Sequence, residues 1–132
     1  MKRLLCVLAL AAQLAACSQP TPDSLVGAWA GQDDGRPYPF LKIEKRHGHY
    51  VLYTNVDGRW RRESDYVEIA SRADLERLVH HPVTCDVTGL KTSVVIVFDV
   101  RPGCPDAGFS TRSGYFASTW FGAVELVRLA PA

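Results

Sequence analysis

The chain has almost no net charge: 15 Lys and Arg stand against 14 Asp and Glu, a formal +1. Nucleic acid is therefore not an expected partner, because phosphate binding needs a basic surplus concentrated on one face. No apolar run approaches the ~20 residues that a membrane-spanning helix requires. Eight prolines and ten glycines among ordinary charged content exclude collagen, low-complexity disorder and a long coiled coil. Gly-x-Ser-x-Gly, a phosphate-cradling glycine loop and Cys-x-x-Cys are all missing. With 132 residues the chain can hold one domain, with or without a processed segment.

What is present begins at the N-terminus. Lys2 and Arg3 form a basic start, Leu4 to Ala12 a short apolar core, and Ala15 and Ala16 a small-residue pair. Cys17 follows at once. The run Leu14-Ala15-Ala16-Cys17 resembles the lipobox of bacterial lipoproteins, with every part in the right order. The resemblance implies that residues 1–16 are a signal peptide and that the Cys17 thiol receives a diacylglycerol. The new amino group of Cys17 would then be acylated, and three acyl chains give lasting attachment. Ser18, standing where an aspartate would favour the inner membrane, points to the outer membrane and its periplasmic face.

Removing residues 1–16 takes away Lys2 and Arg3 and no acid, so 13 basic and 14 acidic side chains remain in 116 residues. A domain of that size buries roughly two-thirds of its unfolded surface, enough for one core. Cys6 leaves with the leader and Cys17 carries lipid, so Cys85 and Cys104 are left. An oxidising periplasm makes them an expected disulfide, worth roughly 3 kcal/mol in the chain-entropy model.

Residues 17–24 read as a lipidated, polar, proline-bearing tether, and 25–132 as a single periplasmic β domain. Strands are expected at Leu25–Ala30, Tyr38–Arg46, His49–Val56 and Arg59–Ile69, the last bent around Ser64-Asp65. His47-Gly48 is expected to be a turn, and Asp57-Gly58 is a two-residue hairpin signal, because both of its positions tolerate positive φ. Ser71 to His80 is the one helix, capped by Ser71 with Asp74 three residues on and ended by Pro82. Val83–Thr88, Ser93–Val100, Gly114–Thr119 and Val124–Leu129 complete the strands. Val94 to Phe98 is apolar on both faces, which marks a strand covered on both sides. The fold class is mainly β: a small antiparallel barrel or sandwich of about seven strands with one short helix over 71–80.

Gly27-Ala28-Trp29 at the head of the first strand looks like the opening signature of lipocalin-like barrels. The chain departs from that pattern, having too few folded residues for a full eight-stranded lipocalin, so a shorter, flatter barrel without a roomy ligand cavity is expected, with Trp29 as a core plug. His47, His49, His80 and His81 are the only imidazoles, and no free cysteine joins them in a zinc set. Asp33-Asp34 and the pair Glu63 and Asp65 read as solvated acids, and Ser113-Gly114 carries no nucleophile signature. No enzyme activity, cofactor or metal is expected.

The surface motif that stands out is Arg59-Trp60-Arg61-Arg62. On a strand Arg59 and Arg61 share one face while Trp60 and Arg62 share the other. An aromatic among guanidinium groups is the composition of protein hot spots and of anionic-sugar sites. A plainer alternative puts Trp60 in the core, with the arginines blunting an edge strand. A second aromatic group lies at Tyr115, Phe116, Trp120 and Phe121. Small disulfide-linked lipoproteins of this build resemble periplasmic inhibitors and immunity proteins. The expected function is thus a lipid-anchored outer-membrane protein that binds a macromolecular partner, a periplasmic protein, through Arg59, Trp60, Arg61 and Arg62. The alternatives are a lipocalin-like carrier of a small apolar ligand and an accessory subunit of an envelope complex.

Overall fold

A computed structural model of the chain describes residues 21–33, 35–64, 66–101 and 112–129. The lipobox, Cys17, most of the tether and Cys104 lie outside the described residues. The chain is mainly β, with nine antiparallel strands in one curled half-barrel sheet and a single α-helix among the described residues. The strands are β1 (Gly27–Asp33), β2 (Arg36–Arg46), β3 (His49–Val56), β4 (Arg59–Ser64), β5 (Glu68–Ala70), β6 (Thr88–Lys91), β7 (Val95–Asp99), β8 (Tyr115–Thr119) and β9 (Gly122–Arg128). The helix α1 spans Arg72–Val79.

Spatial order is β4-β3-β2-β1-β9-β8-β7-β6-β5, so consecutive strands are neighbours everywhere except at β4 and β5, which form the two edges. Flat, such a sheet would be ~38 Å wide, from eight spacings of ~4.8 Å. Only residues 65–67 connect its edges, and four steps of chain reach ~14 Å at most. The sheet must therefore curl until its edges approach. Register shifts at Trp29/Ala30 and Leu52/Tyr53 supply part of the bend. Strands that alternate in direction, nine in number, leave β4 and β5 running the same way, so antiparallel pairing cannot close the seam.

Two hairpins follow the turn chemistry of the sequence. His47 and Gly48 have φ of 51° and 79°, and Asp57 and Gly58 of 52° and 80°, the positive pair a tight hairpin needs. Inside the curl, Trp29, Leu41, Ile43, Leu52, Leu90, Val97 and Leu126 are fully buried. Leu25 closes one end from a 3₁₀ turn at Pro22–Leu25. Its carbonyl accepts the Trp29 indole N–H at 2.9 Å, and the Arg128 guanidinium lies 4.3 Å from the Trp29 ring centroid.

A second cluster covers the outside of β7 and β8: Leu75 of α1, Val83, Phe98, Val100 and Phe116, with Phe98 and Phe116 rings 5.3 Å apart. Strand β7 is thus covered on both sides, Val95 and Val97 facing in and Ile96 and Phe98 facing out.

Several expectations need correction. The sheet has nine strands rather than about seven. Residues 59–69 are not one bent strand but β4 and β5, on opposite edges of the sheet. Leu25 lies in the 3₁₀ turn, and β1 starts at Gly27. Residues 83–87 join no ladder, and the strand there is β6, starting at Thr88.

Candidate functional site

Strand β4 places the arginine motif on the edge of the sheet. Its register pairs Tyr53 with Arg62 and Asn55 with Trp60, and Thr54 with Arg61 and Val56 with Arg59. Trp60 and Arg62 therefore share the convex face with Lys42, while Arg59 and Arg61 share the concave face with Thr54. Trp60 is half-buried and takes no part in either core cluster. The Lys42 ammonium lies 4.6 Å from the Tyr53 ring centroid and 5.4 Å from that of Trp60, with Glu44 at 3.4 Å. Arg59, Arg61 and Arg62 are exposed.

Charge is unevenly shared. Residues 36–64 carry seven Lys and Arg against three Asp and Glu, whereas the rest of the chain carries eight against eleven. The β2–β4 sector is a positive field on an otherwise acidic body, which favours an anionic contact surface.

The end of the half-barrel away from Leu25 carries the turns joining β1 to β2, β3 to β4, β6 to β7 and β8 to β9. A cavity of about 350 Å³ opens there. Phe40, Leu41, Val94, Val95, Trp120 and Phe121 give it an apolar lining, and Thr54, Thr119 and Glu63 add polar groups. Glu63 accepts the Thr54 hydroxyl at 2.5 Å. At its mouth Trp120 is 85 % exposed and Phe121 fully so. Tyr38, Val56 and Val94 are also exposed and stand at or beside the turns of this same end. Of the aromatic group expected near the C-terminus, Phe116 is core and Tyr115 packs on Trp29 at 4.6 Å. Trp120-Phe121 between two strands, where a turn usually carries polar residues and glycine, is a legible sign of the rim.

The opposite end holds a polar cluster. Asp23 accepts from the Tyr50 hydroxyl at 2.5 Å and from Lys45 at 2.9 Å, and these two bonds hold its carboxyl below the usual range. Burial, then the Asp23 carboxylate, pushes the Tyr50 phenol up.

The histidines are scattered. His47 sits in a turn, exposed His49 opens β3, His80 ends α1 in left-handed geometry, and His81 Nδ1 lies 2.9 Å from the Pro82 carbonyl. Among the described residues no three His, Cys, Asp or Glu side chains converge on a metal position. Asp34 and Asp65 lie outside the described residues, as does the Asp33 side chain. The Ser113 hydroxyl donates to the Tyr115 carbonyl. Cys85 is disulfide-bonded. No family model matches the chain, and neither do the curated proteins or the solved structures with which it was compared.

Proposed function

We propose that the chain is a bacterial lipoprotein, anchored through Cys17 in the outer membrane and facing the periplasm, whose β domain binds a protein partner and carries out no catalysis. An inhibitor of, or immunity protein against, a cell-wall-targeting enzyme is the favoured form of that role. The observation that carries the binding surface is the placement of Trp60. It stands on the convex face of an edge strand with Lys42 and exposed Arg62, while exposed Arg59 and Arg61 leave the same edge toward the concave side. A large aromatic kept out of the core among guanidinium groups has the make-up of an interface anchor. The partner would then present acidic groups to the β2–β4 sector.

Trp60→Ala combined with Arg61→Ala tests this, since anchor residues of this kind cost 2 kcal/mol or more. Capture of a partner from periplasmic extract should weaken at least tenfold, and undiminished capture would remove the assignment. Anchoring is tested separately: full-length Cys17→Ala should lose labelled palmitate and leave the membrane fraction. Unchanged labelling would remove the lipoprotein reading.

A second reading, carriage of a small apolar ligand, is favoured by the cavity, whose 350 Å³ falls within the range of ligand pockets. An apolar fluorophore should then bind at one site per chain and quench or shift Trp120 emission. An accessory subunit of an envelope complex would instead co-purify in fixed ratio with larger membrane proteins.

A further inference from the structure

Among the described residues, five of the seven exposed large apolar side chains, Tyr38, Val56, Val94, Trp120 and Phe121, stand at or beside the turns of one end of the half-barrel. Scattered exposure would be ordinary, but contiguous apolar surface marks a contact site. The two aromatics alone expose roughly 400 Å², taking ~200 Å² for each ring. A stable interface buries ~800 Å² per partner, so this rim provides about half of one side before its neighbours are counted.

The shape points to the occupant. Exposed Trp120 and Phe121, in the β8–β9 turn, form one wall of a cavity whose lining also includes Leu41 and Val95. A knob next to a hole of matching chemistry is self-complementary: under a two-fold axis each copy offers its knob to the other's hole. A small ligand would fill the cavity but leave the outward faces of both rings in water. Charge agrees with a like partner. Both signs occur at this end, with Arg36 and Asp57 at its turns and Glu63 in the cavity lining, whereas a rim of one sign would repel its twin.

We propose that two copies of this chain associate rim to rim, each inserting Trp120 and Phe121 into the apolar cavity of the other. The contact is separate from the convex-face site around Trp60, although it shares the β4 edge through Glu63 in the cavity lining. The first described residues, Thr21 to Leu25, lie at the end away from this rim.

Sedimentation equilibrium of the full chain in density-matched detergent should give the mass of two chains. The double variant Trp120→Ser, Phe121→Ser should sediment as one chain with unchanged circular dichroism, because both side chains are exposed, and its thermal midpoint should no longer rise with protein concentration. Formaldehyde cross-linking in intact cells removes detergent as a competitor. A band at twice the chain mass should appear in the wild type and fall at least tenfold in the variant. A single chain in both experiments overturns the proposal, and so does a pair that survives the double substitution. A monomer whose Trp120 emission shifts with phosphatidylglycerol vesicles assigns the rim to a lipid surface, and a monomer that binds an apolar fluorophore assigns it to a ligand. Either outcome would also overturn the pairing while leaving the Trp60 surface untouched.

Discussion

Asp74 ties the helix α1 and its cap to strand β6. Its carboxylate accepts the Ser71 backbone N–H at 2.8 Å, the Lys91 ammonium at 3.1 Å, and a bond from Arg77. Burial pushes this carboxyl up, yet the Ser71 amide, Lys91, the Ser71 hydroxyl and Arg77 outweigh it and bring it down to about 2. A carboxyl held below its unfolded value of 3.8 adds stability in full above that value. The contribution is lost as pH falls toward 2. It should amount to about 1–2 kcal/mol, since the arginine and lysine are partly solvated. Asp74→Asn should cost that much in urea unfolding at pH 7 and almost nothing near pH 2; an equal loss at both values would refute the assignment. Ser71 and Asp74 were readable as a capping pair because the spacing is local. The reach of Lys91, 17 residues away, was not.

At the scale of elements, what could be read was whatever a short stretch decides by itself. The His47-Gly48 and Asp57-Gly58 turns fix φ within two residues, and β3 between them has its expected limits. Residues 83–87 show the opposite case. Val83 is buried, Cys85 and Val87 are half-buried, and Thr84 and Asp86 are exposed. The alternation of the sequence is real in the burial, but it describes an extended chain laid over the second core, not a strand in the ladder. Strand β6 was hidden for a related reason. Gly89 weakens any strand reading, yet a Cβ there would meet the Val97 carbonyl oxygen at 2.6 Å and Phe98 Cδ1 at 2.8 Å. The glycine is demanded by packing across β6 and β7, which no local pattern records. Gly89→Ala should therefore destabilise the fold by about 1–3 kcal/mol. A chemical-denaturation midpoint equal to that of the wild type would show that the sheet absorbs the methyl.

For the whole molecule, strand number was the least legible quantity. Splitting 59–69 into β4 and β5 depends on where the far edge of the sheet arrives, and only the curl determines that. The candidate surfaces divide in the same way. The Arg59–Arg62 motif was visible because its residues are adjacent. The cavity draws on five strands and two turns and has no sequence signature beyond Trp120-Phe121.

The unpaired seam between β4 and β5 has one more consequence. Residues 65–67 are the only backbone that joins β1–β4 to β5–β9, and no ladder bond crosses there. The halves meet instead through four β1–β9 pairs, Trp29 with Arg128 through Gln32 with Glu125, and through a core to which both contribute. Cutting the link would leave that ladder and core intact. Two separately translated fragments, divided at residue 66, should thus find each other and restore a folded domain. The protein would then serve as a split reporter, with reassembly read by co-purification of a tagged half.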